Sequence, residues 1–310
     1  MAKKLINSVS LEGLLYEHKL ERKITGDNSK NPGTEYIAGT ISVATDAVCL
    51  NIVPVHFSYV TEKTFSGKSN RNYGLFNKII DGVIGTVMAN GKENAGKVHI
   101  DTAIDLNEFA IENDNGEIEI ASPKRLEGGF VTEVPVIDDN ITKRNFFRTD
   151  MLITKATRVE ANEERQLPEK VTVSGYIFNF RREALPVSLS VTNPAAMNYF
   201  EGLNASSKEP VFTQVWGSQI SQTIMRKTTT ESAFGETLVT ETPNTRKDYI
   251  ITGAAKEPYV WDDEQTLTAK EVTEMMAARE IKLAGIKKNR EDYIASTKTA
   301  TKAPSGDYMF

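Results

Sequence analysis

The sequence predicts a mainly β protein with a few helices, built as two tandem barrels that are followed by a C-terminal helix and a disordered tail. Two strand-like runs joined by a short charged turn occupy Val171–Val191, where residues two apart share a face. A similar pair of runs occupies Tyr36–Val60. A short helix-like segment and then a further strand-like run follow each pair. This order predicts that one folding unit occurs twice.

The two strand pairs align as an internal repeat when Gly39 is placed on Gly175 and Pro54 on Pro186. The helix-like segments that follow are NKIIDGV in the first copy and MNYFEGL in the second. Each has two bulky apolar residues, an acid, a glycine and a final apolar residue. Four features in the same order indicate a duplication.

The order of elements favours one type of barrel. A five-stranded Greek-key barrel with a helix between its third and fourth strands is the OB-fold. SH3-like barrels and sandwiches produce similar orders, so the pattern is consistent with the OB-fold without being unique to it. We predict OB-like domain 1 over residues 1–137, a linker over 138–144, OB-like domain 2 over 145–265, a C-terminal helix over 266–296 and a flexible tail over 297–310.

The predicted C-terminal helix has a clear start. Thr268 is a candidate N-cap, and Glu271 stands three residues further on, which is the spacing of a capping box. The helix either packs on the second domain, which is the favoured interpretation, or mediates self-association, so a homo-oligomer stays open.

Composition describes an ordinary, slightly polar globular protein. The 310 residues carry a formal net charge of −5, which argues against a surface that binds nucleic acid everywhere but not against a local basic groove. The chain has no apolar run near the ~20 residues that span a bilayer, and its N-terminus lacks a signal-peptide pattern. We therefore expect action in the cytosol, without membrane contact. The single Cys49 excludes an internal disulfide and a cysteine zinc cluster.

Aromatic and basic residues lie together in the second copy. Tyr176, Phe178 and Phe180 share one face of a strand, and Arg181 and Arg182 follow in the turn. This face is either a core face or a stacking platform. The opposite aliphatic face is common to both copies, so we predict that it is the core and that the aromatic face binds bases. OB-folds bind single strands by stacking bases on aromatics in a positively charged groove.

A second mixture of basic and aromatic residues precedes the second domain. Arg144, Phe147 and Arg148 are predicted contacts to nucleic acid. Phe146 and Phe147 are adjacent, so one can be core while the other is free. Trp216 is either a core aromatic of the second domain, which we favour, or another platform.

A polar, basic insertion in the first copy has almost no counterpart in the second. Residues 61–72 contain Lys63, Phe65, Lys68 and Arg71. Two interpretations stay open: a solvated loop, or a flexible arm that closes over a phosphate backbone. These four residues complete the predicted nucleic-acid site.

Several segments resemble a known family. NPGTEYIAGTISVATD, LNIVPVHFSYV, AMNYFEGL and ITGAAKEPYVWDDE are similar to bacteriophage proteins described as single-stranded-DNA-binding. The resemblance covers residues from about 4 to about 293. It implies an OB-type protein that binds and protects single-stranded DNA during phage DNA replication or recombination, in the cytoplasm of the infected host cell.

The chain terminus resembles the C-terminal tip of bacterial single-stranded-DNA-binding proteins, which docks replication partners. Asp307 and Phe310 match the acidic residues and terminal Phe of that tip. This sequence has one acid there where the tip has several, and the upstream tail is basic. Replication or recombination proteins are accordingly candidate partners of the tail.

No catalytic or cofactor signature is present in the sequence. His18, His56 and His99 are widely separated, and no phosphate-binding GxxxxGK[ST] run occurs. We therefore expect no enzyme activity, no metal and no cofactor. The competing functional class is a β-barrel structural or assembly protein of a phage particle that does not bind nucleic acid.

Overall fold

A continuous curled sheet forms most of the structure, a computed structural model that describes residues 4–162, 168–230, 234–235 and 238–300. The first half of the chain supplies eight strands and two short helices. They are β1 Asn7–His18, β2 Glu21–Ile24, β3 Glu35–Ala44, β4 Ile52–Val60, α1 Arg71–Ile80, α2 Val87–Asn90, β5 Lys97–Leu106, β6 Phe109–Glu112, β7 Ile118–Ala121 and β8 Lys124–Glu133, with a 3-10 turn at Lys92–Asn94.

Five of these strands close into a barrel. β1 pairs with β3, β3 with β4, β4 in parallel with β8, β8 with β5, and β5 again with β1. If β1, β3, β4, β5 and β8 are numbered 1 to 5 in chain order, their order around the barrel is 1-2-3-5-4-1. The helix α1 lies between the third and fourth of these strands. This is the OB-fold topology.

The second half repeats that topology. Its elements are α3 Ile141–Arg144, β9 Asn145–Val159, β10 Lys170–Phe178, β11 Ala184–Val191, α4 Pro194–Gly202, β12 Val211–Thr230, β13 Leu238–Ala254 and α5 Ala269–Ala300. β9 pairs with β10, β10 with β11, β11 in parallel with β13, β13 with β12, and β12 with β9. The predicted fold class, two OB-like barrels followed by a C-terminal helix, is confirmed.

The barrel interiors follow the predicted aliphatic faces. Along β4, Val53, Val55 and Phe57 point inward and are almost completely buried. The helix after the third strand closes the barrel, since Phe76 of α1 meets Phe57 edge to face at 4.8 Å. In the second barrel Phe200 of α4 is equally buried.

Gly39 and Gly175, the predicted repeat partners, have the same structural role. Each lies on the second strand of its barrel, close to the backbone of the first strand or its end. A Cβ atom would lie 1.9 Å from the Lys19 carbonyl oxygen at Gly39 and 2.0 Å from the Leu152 carbonyl oxygen at Gly175. No side chain fits at such distances, so both positions require glycine.

The aligned prolines show that the repeat is not exact. Pro54 pairs with Ser42, three residues after the first repeat glycine. Pro186 pairs with Tyr176, one residue after the second. The order of elements is therefore repeated, while the register of the hairpin differs by two residues.

The barrels are joined through strand pairing and through one loop. The first half of β1 pairs antiparallel with β9, from Asn7 opposite Thr149 to Leu11 opposite Asn145. The loop 45–51 of the first barrel contacts β12. There, the amide of Asn51 donates to the Gln219 carbonyl oxygen at 3.2 Å and accepts from the Ser221 N–H at 2.6 Å.

α5 begins at the predicted capping box. The Glu271 carboxylate accepts from the Thr268 N–H at 3.0 Å, and the Thr268 hydroxyl accepts from the Glu271 N–H at 3.2 Å. The helix packs on the second barrel and on the β6–β7 hairpin, as the favoured interpretation of this helix required. No helix of the described residues, α5 included, is long and apolar enough to cross a membrane. Asp307 and Phe310 lie outside the described residues.

α5 and the segment before it cover the aromatic face of the second barrel. Phe178 is 1% exposed and lies in a cluster with strand residues Leu152, Ala184 and Phe212 and with residues from the chain after β13. Those residues are Leu267, Val272 and Met275. The prediction that Phe178 lies on an exposed face is therefore wrong. This strand has an apolar layer on each side, so alternation alone did not separate core from surface.

We expect Phe178→Ala to destabilise the protein by about 3–5 kcal/mol, since a buried ring is replaced by a cavity. Chemical unfolding followed by circular dichroism measures the change. Phe180→Ala is the matched control because that ring is 84% exposed, and we expect a change within about 0.5 kcal/mol. Equal stability losses for the two variants would contradict the burial of Phe178.

Candidate nucleic-acid interface

The outer face of the second and third strands is the surface that OB-folds use for oligonucleotides, together with adjacent loops. In the first barrel this is the outer face of β3–β4. Tyr36 and Thr40 lie on it from β3, and Pro54, His56 and Tyr59 from β4, all partly or fully accessible. We call this surface the β3–β4 face.

Two tyrosine rings form a pair at one end of the β3–β4 face. The centroids of Tyr36 and Tyr59 are 4.7 Å apart, and the ring planes are inclined by 39°. Tyr59 is 48% exposed. A ring supported on one side and open on the other can stack a base.

A groove of about 800 Å³ adjoins the tyrosine pair. Its lining includes Asn31, Tyr59, Lys63, Phe65 and Tyr73. The insertion that forms one wall is ordered as a small hairpin. The Thr64 N–H donates to the Lys68 carbonyl oxygen at 2.7 Å, and the Asn70 N–H donates to the Glu62 carbonyl oxygen at 2.8 Å.

The insertion presents an aromatic ring and cations to solvent. Phe65 is fully exposed, and the side chains of Lys63, Lys68 and Arg71 are also exposed. Lys63 and Phe65 line the groove beside the tyrosine pair, whereas Lys68 and Arg71 belong to the same insertion but not to the groove lining. Glu35 and Glu62 line the same groove, where Lys63 is the cation of the lining, so phosphate contacts depend on the exposed cations of the insertion.

A second groove, of about 530 Å³, lies at the other end of the β3–β4 face. Its floor includes Thr40, Ser42 and Pro54, and the β12–β13 hairpin supplies a wall with Thr223 and Lys247. The two grooves lie along strands of about ten residues, which at ~3.3 Å per residue gives a track of roughly 30 Å.

A histidine, His56, lies near the middle of the track. Burial lowers the pKa of His56, although the Glu127 carboxylate acts in the opposite direction. The ring lies 3.4 Å from the Thr40 hydroxyl. Burial, Arg125 and Lys23 thus favour the neutral imidazole of His56, which offers a flat ring and a hydrogen bond.

The turn after β10 retains exposed members of the predicted site. Phe180 is exposed, and the Arg181 guanidinium lies 5.2 Å from the centre of its ring. Arg182 pairs with Glu271 of α5 at 2.6 Å. Tyr176 is half-buried against the cluster that contains Phe178. The binding roles of Tyr176, Phe180 and the two arginines stay predictions.

The residues near the start of β9 separate into core and surface. Phe147 is 0% exposed, so its prediction as a DNA contact is wrong, and Phe146 is the neighbour that faces outward. The Arg144 guanidinium is largely buried and donates to the Asp138 carbonyl oxygen. Arg148 is exposed on the outer side of the sheet, opposite Trp216 of β12. Trp216 is half-buried on that same side, against the favoured interpretation of a core residue.

The tyrosine pair was missed by sequence reasoning for a specific reason. Simple alternation places Tyr59 on the inner side with Val55 and Phe57. An irregularity in the β3–β4 pairing, between Ile37 and Gly39, shifts the register there. Such a bulge turns the side chains beyond it to the other face. The sequence did contain a signal for this pair, since Tyr36 stands near the start of one strand and Tyr59 near the end of the next.

Comparisons with known proteins concern the family and the fold of the chain, not its site. A search of curated protein sequences finds no match. Among solved structures, a deletion mutant of the single-stranded DNA binding protein from Thermus aquaticus is similar, at 10% identity and a TM-score of 0.45. That match covers 82% of this chain and 95% of the other, and at this identity and score it carries no argument about function. The family model YorF matches residues 5–289, and the chain therefore belongs to the YorF family.

Proposed function

We propose that this protein binds single-stranded DNA along the β3–β4 face with little sequence preference. The observation that carries the proposal is the Tyr36–Tyr59 pair, which is partly open to solvent on the ligand-binding side of an OB barrel and adjoins the first groove. The exposed Phe65 and Lys63 of the insertion line that groove at the same end.

The chemistry of this surface suits a flexible single strand. Stacking of a base on an aromatic ring contributes about 1–3 kcal/mol and accepts every base. Lys63, Lys68 and Arg71 can contact phosphates, and such contacts weaken as salt rises. In duplex DNA the bases are already stacked and cannot reach the rings.

The finer role follows from the sequence resemblance. The segments similar to phage single-stranded-DNA-binding proteins support a role in protecting single strands during phage DNA replication or recombination, in the cytoplasm of the infected host cell. Proteins of those processes are then the candidate partners.

Fluorescence anisotropy of labelled oligo(dT), titrated at low and high salt, tests the binding proposal. We expect saturable binding that weakens with salt, and much weaker competition by a duplex of equal length. An absence of binding, or equal competition by the duplex, would contradict the proposal and favour a structural or assembly role.

We expect Tyr59→Ala to weaken oligo(dT) binding roughly five- to 150-fold, the equivalent of one lost stacking contact. The melting temperature should change little, since Tyr59 is about half exposed. Tyr199→Ala on α4 is a matched control with a 37% exposed ring, and its affinity should equal that of the parent. Unchanged affinity in the Tyr59 variant would exclude this ring as a platform.

The loop cations make a separate prediction about salt dependence. Changing Lys63, Lys68 and Arg71 together to Ala removes up to three phosphate contacts. The slope of log affinity against log salt should flatten by roughly 0.7 per lost contact.

Three exposed lysines of the second half, Lys208, Lys287 and Lys288, provide the control for that experiment, since their replacement removes the same charge. If both triple variants shift the slope equally, net charge and not the loop determines the effect. A parental slope in the loop variant would leave the insertion as a solvated loop.

A further inference from the structure

A cavity of about 850 Å³ between the two barrels is not used by the site described above. Its floor is the outer side of the strands β5, β1, β9 and β12, which run continuously from one barrel to the other. Loop 45–51 and α3 form parts of its walls. The volume lies within the ~300–1,000 Å³ range of small-ligand sites.

Two aromatic side chains line this inter-barrel cavity. Phe146 of β9 and Trp216 of β12 are both half-buried there. The indole of Trp216 lies over Gly253, where a Cβ atom would come within 2.3 Å of the indole Nε1. The absence of a side chain at Gly253 lets the indole lie against the sheet while it still lines the cavity.

The acidic groups of the cavity are matched by donors of the protein itself. Glu12 accepts from the His99 ring at 3.0 Å and from the Asp138 N–H. Asp46 accepts from the Leu50 N–H at 2.9 Å.

The third carboxylate, Asp138, is likewise engaged. It accepts from the Asn140 N–H at 2.9 Å and the Lys143 ammonium at 3.2 Å, and these two bonds lower its pKa. The three carboxylates thus have protein donors already, and the two aromatic rings are the flat surfaces that the cavity lining offers to a ligand. Arg148 lies beside Trp216 on the neighbouring strand as an exposed cation.

The cavity adjoins the groove at one end of the β3–β4 face. Asn51 and Gln222 line the cavity, while their neighbours Leu50, Ile52 and Ser221 line the groove. The loop and β12, which are hydrogen-bonded to each other at Asn51, therefore separate the two spaces by one layer of chain.

We infer that the inter-barrel cavity is a second nucleobase site, in which Trp216 and Phe146 stack on bases of the strand bound to the β3–β4 face. The inference rests on the proposed function, because the occupant is a further part of the same single strand. The two rings favour flat ligands. Cations are not favoured, because the neighbouring carboxylates already have hydrogen-bond partners in the protein. The phosphates of that segment stay outside, towards Arg148.

Intrinsic fluorescence tests this site directly, since the chain has two tryptophans. In Trp261→Phe protein, Trp216 is the remaining emitter, and saturating oligo(dT) should quench its emission by more than half. In Trp216→Phe protein, the emitter is Trp261, which packs against the cluster under α5, and its emission should change little. Anisotropy of the labelled oligonucleotide is recorded in the same titrations.

The two readouts separate the two claims. Rising anisotropy with unchanged Trp216 emission would overturn the second site and leave the proposed function intact. Unchanged anisotropy in the parent protein would overturn both. Equal quenching of the two tryptophans would also overturn the second site.

Variants of Phe146 supply an affinity measurement. Phe146→Ala should weaken binding roughly five- to 150-fold, and Phe146→Tyr, which keeps the ring, should restore parental affinity. Melting curves of both variants distinguish lost stacking from lost folding. A correctly folded Phe146→Ala protein with parental affinity would contradict the assignment.

Discussion

The antiparallel pairing of β1 with β9 is the interaction on which the rest of the structure depends. A run of backbone pairs, from Asn7–Thr149 to Leu11–Asn145, merges two barrels into one sheet. Because the ladder fixes the orientation of the second barrel, its long β12–β13 hairpin forms a wall of the groove at one end of the β3–β4 face. Asn51, which is 8% exposed, holds β12 against the first barrel through hydrogen bonds to the backbone of Gln219 and Ser221. The groove at that end of the face and the inter-barrel cavity follow from this arrangement.

The two copies of the barrel have diverged in the use of the same face. In the first barrel the outer face carries a pair of partly exposed tyrosines at one end and small polar residues beyond them. In the second barrel the equivalent face carries Phe178 and is covered by α5. Ion pairs between Arg182 and Glu271, at 2.6 Å, and between Lys282 and Glu183, at 3.2 Å, reinforce the apolar contact. Because α5 covers this face of the second barrel, the equivalent face of the first barrel is the accessible one. The proposal therefore assigns single-stranded DNA to the first barrel.

The sequence predicted the fold more successfully than the site. Alternation along β3, β4, β10 and β11 identified the aliphatic cores, because inward residues of a closed barrel repeat at period two. The glycines Gly39 and Gly175 marked two places where a neighbouring backbone comes too close for a side chain. The capping box at Thr268 marked the start of α5.

The errors at the site have two physical causes. Burial of Phe178 depends on a helix that lies almost a hundred residues later in the chain, and local patterning cannot reveal that contact. Tyr59 reaches the surface through a bulge, and a one-residue irregularity reverses the inside–outside assignment. Four predicted residues do lie in one short insertion: Lys63, Phe65, Lys68 and Arg71. There, closeness in the sequence was enough to predict that they belong to one structural element.

Photo-crosslinking of an iodinated oligo(dU) to the intact protein, with peptide mapping by mass spectrometry, tests the central claim most directly. The central claim is that a single strand lies on the β3–β4 face of the first barrel and not on the covered face of the second. The account predicts crosslinked peptides that contain Tyr36, Tyr59 or Phe65. Crosslinks confined to the β10–β11 face, with these three peptides unmodified, would contradict it.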